Sequence, residues 1–355
     1  MSRQAKSRGA PAPPRHIAAE KRTADTLEPM PNEPMPIRIE ENLVYLLPLQ
    51  AGGVLLIDAG PDVFGGWDAL LGRINMRGFA ATDVRAVLIT HAHIDHAGLA
   101  AKWAAAGAII LAGLTDVPAL LAGRDWNEAR ASHRLDTLRR HGASDELIDV
   151  LAASDARRGY AWEPTPAAAI QPVEDGTRIP LANDEQLRII AAPGHTPGNL
   201  VALAEGSGDL YVGDTLLPHQ TPTPGMHFAY GPGGAVGPRW PSLPPFLDSV
   251  RRLRALQGAR RTLQGHGNPG ANPARLAARF EQHHERRAQR YRRLLAEQPD
   301  TAHGIAERAF PHIGPLQLAQ AMTEIIGHLD LLEAAGRVEA DEGARDRVRY
   351  RLLDI

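Results

Sequence analysis

The chain has 355 residues, 43% of them hydrophobic, with 39 Lys plus Arg against 41 Asp plus Glu and a formal net charge of −2. That balance excludes a global attraction to nucleic acid or anionic membranes, and no uninterrupted apolar run is long enough to span a bilayer. With no cysteine, disulfides and thiolate ligands are ruled out, so any bound metal must be held by nitrogen and oxygen.

The length predicts one large domain plus a smaller one. Residues 1–36 carry Pro11, Pro13, Pro14, Pro29, Pro31, Pro34 and Pro36 among charged and small residues, which predicts a disordered segment with little to bury. It holds no apolar stretch like that of a signal peptide, so a cytoplasmic protein is expected. Leu43–Leu47 and Val54–Ile57, split by Ala51, Gly52 and Gly53, read as a hairpin of buried strands, and Asp58 closes the second. Trp67 to about Met76 has helical periodicity and leads to an apolar strand, Ala86–Ile89. This strand, helix, strand order signals a layered α/β architecture.

The segment Thr90-His91-Ala92-His93-Ile94-Asp95-His96 follows that strand directly. Alternate side chains of an extended segment share a face, so His91 and His93 can point the same way, with Asp95 and His96 following as the chain turns. Imidazole nitrogens with an interleaved carboxylate suit zinc and its first-row neighbours. A short helix over Leu99–Ala106 and a strand over Ala108–Leu111 come next, then a helical insert at about 114–165. Strands resume at Leu187–Ile190, Leu200–Leu203 and Leu210–Val212. The Pro- and Gly-rich stretch Pro218–Pro245 reads as a structureless loop, followed by a helix over Pro245–Leu256.

Three later segments place a ligand type beside glycine at a strand end: Gly194-His195, Gly213-Asp214 and Gly265-His266-Gly267. Glycine lets backbone approach a crowded centre without a Cβ clash. Beyond Asn272 the chain becomes helical and Arg-rich from Arg275 to Arg293. Helices over Thr301–Ala309 and Leu316–Ala335 and a hairpin over Arg337–Leu353 then give the order of a winged helix.

Over about residues 37–270 these motifs resemble the metallo-β-lactamase-fold hydrolase superfamily, whose His-x-His-x-Asp-His signature is matched by His91, His93, Asp95 and His96, and whose later positions are matched by His195, Asp214 and His266. The resemblance implies an αββα sandwich with a helical insert and a C-terminal winged helix. The domains would be 37–272 for catalysis and 273–355 for the winged helix. It further implies two divalent metals, zinc by preference with iron or manganese acceptable. His91, His93 and His195 would hold one, Asp95, His96 and His266 the other, and Asp214 would bridge them. Asp58 matches an early strand-end Asp that orients a ligand, though a turn cap explains it equally well. A metal-bridging hydroxide would attack the substrate, with Asp95 taking and returning the proton.

The tail, with Pro218-His219-Gln220-Thr221-Pro222, is similar to the β-lactamase-like protein 2 group. The long helical insert departs from it and is expected to cover the metals as a lid. The leading reading is a hydrolase for a small-molecule thioester, ester or lactone, and the alternative is an endoribonuclease whose arginines touch phosphates. A non-enzymatic DNA-binding protein fits poorly with an intact ligand set. No membrane partner is expected, and the tail would stabilise the catalytic domain or support a homodimer. His219 and His227 read as exposed loop residues beside the site, Tyr230 as a candidate hydrogen-bond donor to an oxyanion, and Trp126 and Trp162 as buried packing residues or acyl-pocket walls.

Overall fold

Period-two alternation in the strands builds three stacked cores, one between two sheets and one outside each. The computed structural model describes residues 34–155, 161–219, 224–230, 236–342 and 347–353; the remainder of the expected disordered segment, 1–33, lies outside them. The first sheet comprises β1 (Met35–Ile39), β2 (Asn42–Pro48), β3 (Val54–Ile57), β4 (Val84–Leu88), β5 (Ile109–Gly113) and β6 (Ile170–Val173), in that order across it. Met35 and Pro36, read from the sequence as tail, belong to β1, whose register pairs Met35 with Leu46. In chain order there follow β7 (Arg178–Pro180), β8 (Gln186–Ala191), β9 (Leu200–Ala204), β10 (Asp209–Gly213), a separate hairpin of β11 (His227–Tyr230) and β12 (Val236–Trp240), and β13 (Arg261–Gln264). The second sheet is laid out β13-β10-β9-β8-β7.

Leu43, Tyr45 and Leu47 of β2 point between the sheets and meet Leu187, Ile189, Leu200, Ala202 and Tyr211 of the second sheet. Their alternates Val44 and Leu46 face outward with Leu70 and Ile74 of α1 (Gly66–Asn75) and Trp103 of α3 (Ala100–Ala105). On the other side Ile190, Val201, Leu203 and Val212 pack against Phe246 and Val250 of α7 (Leu243–Arg254) and Phe280 of α8 (Pro273–Glu297). A strand buried on both faces must be apolar at every position, which is why these segments read as continuous hydrophobic runs. The result is the expected αββα sandwich.

The insert consists of α4 (Val117–Ala122), α5 (Arg124–Arg140) and α6 (Asp145–Asp155). Its far end does not lie over the ligand loops. Leu138, Leu147, Ile148 and Leu151 share a core with Tyr291 and Leu295 of α8, Ile305 of α9 (Ala302–Ala309), Met322, Ile325 and Leu329 of α10 (Pro315–Ala334), and Val338 and Tyr350 of the terminal hairpin β14 (Val338–Asp341) and β15 (Arg349–Leu352). The lid expected from sequence is therefore restricted to the start of the insert, because the apolar side chains of its far end are spent on the C-terminal helices. Helix α8 starts at the expected 272/273 boundary yet serves both sides of it: Leu276, Ala277 and Phe280 pack on the second sheet, Tyr291 and Leu295 in the C-terminal core. The expected structureless loop over 218–245 instead contains the β11–β12 hairpin, with Phe228 and Met226 buried in that same C-terminal core. Among the described residues no helix is long and apolar enough to cross a membrane.

Candidate metal centre

Four strands deliver the candidate ligands to one edge of the sandwich, each from the loop at its carboxyl end. His91 and His93 follow β4, and His93 is the N-cap of α2 (Ile94–Ala97), which carries Asp95 and His96. His195 follows β8, Asp214 follows β10 and His266 follows β13. The glycines allow the crowding: at Gly265 a Cβ would fall against the His96 ring and 2.8 Å from Asp214 Oδ1, and at Gly213, where φ is +48°, it would meet Thr90 Oγ1 at 2.5 Å.

The side chains converge in three overlapping groups, each with donor atoms within 4.8 Å of one another: His91, His93 and His195; Asp95, His96 and His266; and His91, His96 and Asp214. The first two are the two expected ligand sets. The third spans them, with Asp214 between. Two contacts bring ring nitrogens face to face: His93 Nδ1 to His195 Nε2 at 3.1 Å and His96 Nε2 to His266 Nε2 at 3.2 Å. Nitrogens about 2.0–2.1 Å from a tetrahedral zinc lie roughly 3.3 Å apart, so this spacing fits a shared cation. His91 Nε2 and Asp214 Oδ1 are buried with no hydrogen-bond partner. A buried polar atom left so is costly unless something else satisfies it, and a divalent metal fits this donor set.

Proton accounting around the site points the same way. Asp58, at the end of β3 with φ +65°, accepts from Thr90 N at 2.8 Å and, through Oδ2, from His96 Nδ1 at 2.8 Å and Thr90 Oγ1 at 3.1 Å. Because the Thr90 hydroxyl donates to Asp58, it accepts from His91 Nδ1 at 3.0 Å. Both imidazoles thus carry a proton on Nδ1 and turn Nε2 to the centre. Asp58 therefore orients two histidines of the cluster rather than serving as a turn cap alone.

Electrostatics divide the cluster. Burial, with His96 and His195 close by, holds His91 well below the ordinary imidazole range. Burial likewise lowers His195, to about 4, and lowers His93, beside His195 and Arg130. For Asp95 and Asp214 burial alone would raise the carboxyls, but His96 and His266 outweigh it and hold both carboxylates below their usual range. The same carboxylates overcome the burial of His96, which is raised, and push His266 up to about 9.

Three positioning residues were not identified from sequence. Asp116, just past β5 and 4% exposed, accepts from Ala92 N at 2.8 Å, Thr196 Oγ1 at 2.6 Å and Gly198 N at 2.7 Å, tying the His91–His96 loop to the His195 loop. Asn42 donates to Asp95 Oδ2 at 3.2 Å. His227, expected to be exposed, is 2% exposed, donates from Nε2 to the His195 carbonyl at 2.7 Å and stacks on His93 with ring centres 5.9 Å apart. His219 is exposed, as expected. Trp126 and Trp162 are buried in the core outside the first sheet. The side chain of Tyr230 and residues 220–222 of the proline run lie outside the described residues.

Comparison with known proteins places this arrangement. The sequence is 28% identical over 308 residues to the probable metallo-hydrolase YqjP of Bacillus subtilis (strain 168), covering 85% of this chain and 90% of that protein. The crystal structure of a metallo-beta-lactamase family protein from Thermus thermophilus superposes with a TM-score of 0.68 at 27% identity, over 90% of this chain and 97% of the other. A beta-lactamase domain protein from Burkholderia ambifaria shares the fold, with a TM-score of 0.68 at 23% identity and 90% of both chains covered. These overlaps take in the C-terminal elements as well as the sandwich. Residues 41–266, from the residue before β2 to the last histidine of the cluster, match the metallo-beta-lactamase superfamily, and the chain belongs to it.

Proposed function

We propose that the protein is a dinuclear metal-dependent hydrolase of a small-molecule thioester, ester or lactone. The observation that carries this reading is the pair of three-residue donor sets, spanned by a third group in which Asp214 lies with His91 and His96, and the buried His91 Nε2 and Asp214 Oδ1 left without a hydrogen-bond partner. His91, His93 and His195 would hold one cation, Asp95, His96 and His266 the other, and Asp214 would bridge. Two divalent cations, zinc by the character of these donors, would supply an activated water near neutral pH and a Lewis acid for the oxygen under attack.

The chain's own residues supply the rest. Asp58 and Thr90 hold the Nδ1 protons of His96 and His91 and so aim both Nε2 atoms at the centre. Asp95 is partly open to solvent and lies 3.3 Å from His266 Nε2, where its carboxylate can carry a proton between the site and bulk water. Asn42 fixes that carboxylate. No serine or cysteine nucleophile is required.

Three of the seven arginines of α8 are engaged within the protein, while Arg275, Arg286, Arg292 and Arg293 are exposed. Arg279 donates to the Leu217 carbonyl, Arg287 pairs with Glu324 and lies over Phe310, and Arg290 binds the Ala309 carbonyl. These three fasten α8 to its neighbours, which supports a structural role for that face of the helix, and RNA cleavage is the alternative that the screen decides. The test is metal analysis of the purified protein with a hydrolysis screen over thioesters, esters, lactones and single-stranded RNA. Two metals per chain with turnover of a thioester, ester or lactone, lost in His93→Ala and Asp214→Ala together with the metal, is the expected result. RNA cleavage alone, or normal turnover in those variants, overturns it.

A further inference from the structure

A cavity of about 290 Å³ opens beside the cluster and is walled in part by segments that contribute no donor to it. Trp126 and Arg130 come from the start of α5, and His227, Phe228 and Trp240 from the β11–β12 hairpin. Its floor is Ala92, the residue between His91 and His93. The cavity is therefore continuous with the site: one wall, His227, stacks on His93 and holds the His195 carbonyl.

The lining specifies what fits. Three aromatic side chains and small aliphatic ones surround a space about twice that of a ~150 Å³ apolar cavity that takes a benzene ring. That is room for a ring with a short chain, or an alkyl group of similar bulk. Two charged side chains line it. Asp116 spends its carboxylate oxygens on Ala92 N, Thr196 and Gly198. Arg130 is half-buried and lines the same cavity as His227, which puts a guanidinium in the wall of a largely apolar space. A guanidinium in such a place matches a carboxylate, with which it can form paired hydrogen bonds.

We infer that this cavity binds the apolar acyl group of a carboxylate-bearing substrate, with Trp126, Phe228 and Trp240 enclosing the hydrocarbon and Arg130 recognising the carboxylate. The inference rests on the hydrolase reading and narrows it to one substrate class. It also divides the insert by role, with its start selecting substrate while its far end anchors the C-terminal helices.

Binding and turnover separate the two readings. Binding of 4-phenylbutyrate and of its neutral counterpart 4-phenylbutanol to the metal-loaded protein is measured by calorimetry, for the wild type, Arg130→Gln, Arg130→Lys and Phe228→Ala. Arg130→Gln is expected to weaken the carboxylate about tenfold or more, as loss of a charged hydrogen-bond partner does, and to leave the alcohol within about twofold. Arg130→Lys restores part of the loss, and Phe228→Ala weakens both ligands. In turnover, Arg130→Gln raises KM for thioesters of a dicarboxylic acid by a larger factor than for neutral thioesters. Equal affinity for the two ligands in the wild type, or carboxylate affinity untouched by Arg130→Gln, overturns the cavity assignment and leaves the hydrolase reading standing. Absence of turnover on every thioester, ester and lactone overturns the hydrolase reading, while the binding arm still decides what the cavity accepts.

Discussion

Asp58 Oδ2 lies 2.8 Å from His96 Nδ1 and 3.1 Å from Thr90 Oγ1, so one carboxylate sets the protonated nitrogen of two imidazoles, His96 directly and His91 through the threonine. Partners of this kind fix tautomer and ring orientation, and their loss commonly costs about 10–100-fold in metal affinity. Asp58→Ala is expected to lower metal affinity by about that factor in a chelator competition, while every donor atom of the cluster remains. Thr90→Val should show a smaller loss confined to the cation held by His91. Unchanged affinity in Asp58→Ala would reduce Asp58 to a turn residue.

Asp116 acts on loops rather than rings. Its carboxylate accepts three hydrogen bonds from two segments far from one another along the chain, and a buried donor stripped of its acceptor costs about 1–3 kcal/mol. Asp116→Ala leaves Ala92 N, Gly198 N and the Thr196 hydroxyl without their partner. Hydrolysis is expected to drop by about tenfold or more with the metal still bound, because the His195 loop is no longer registered against the His91 loop. Wild-type turnover in Asp116→Ala would show that the two loops hold register without it.

The contrast between Asp116 and the seven cluster residues explains what could be read from sequence. His91, His93, Asp95, His96, His195, Asp214 and His266 each follow a short apolar run, and the last three sit directly beside glycine, so strand pattern, ligand type and turn chemistry agree within a few residues. The inner strands were legible for the same reason, since doubly buried strands must be apolar throughout, whereas the edge strands β1, β6 and β7 lack such a run and went unread. Asp116, Asn42 and His227 carry no such local mark. Each is defined by a partner far along the chain, Thr196, Asp95 and the His195 carbonyl respectively. The β11–β12 hairpin was hidden because its strands are short and lean on contacts with distant elements, α5 and α10, rather than on alternation.

One of those contacts is the ion pair between Arg239 of β12 and Asp330 of α10, with Nη1 to Oδ2 at 2.6 Å and a second parallel hydrogen bond. Asp330 is nearly enclosed and Arg239 only partly exposed. Removing one partner of a buried pair costs about 3–5 kcal/mol because the other charge is left uncompensated; partial solvation of Arg239 puts Asp330→Ala at the low end. Thermal melts should show that loss, and Arg239→Met with Asp330→Leu together should recover part of it. A single variant as stable as wild type would mean that the hairpin is held by Phe228 and Met226 alone.

The C-terminal core contains a second histidine pair, and it gives the fold a defined acid sensitivity. His328 Nδ1 donates to the Glu324 carbonyl at 2.8 Å, so its Nε2 is bare and accepts from His284 Nδ1 at 3.3 Å. His284 Nε2 is then a buried lone pair with no partner. Around the pair stand His283 and Arg287 of α8, Tyr291 and Glu324. Burial, with each histidine or Arg287 close by, pushes His284 down to about 3 and His328 down to about 4. In the unfolded chain both titrate near about 6.5. Between those values the unfolded state binds protons that the folded state refuses, so their contribution to stability is whole above about pH 6.5 and falls as pH drops toward about 4. Each group contributes on the order of 1 kcal/mol per pH unit in that window. The melting temperature is therefore expected to fall from about pH 7.5 to about pH 5, and His284→Gln, which keeps a donor toward His328 and removes a titrating site, should flatten that fall while changing stability little at neutral pH. An equally steep acid limb in His284→Gln would assign the sensitivity to the metal-site histidines instead.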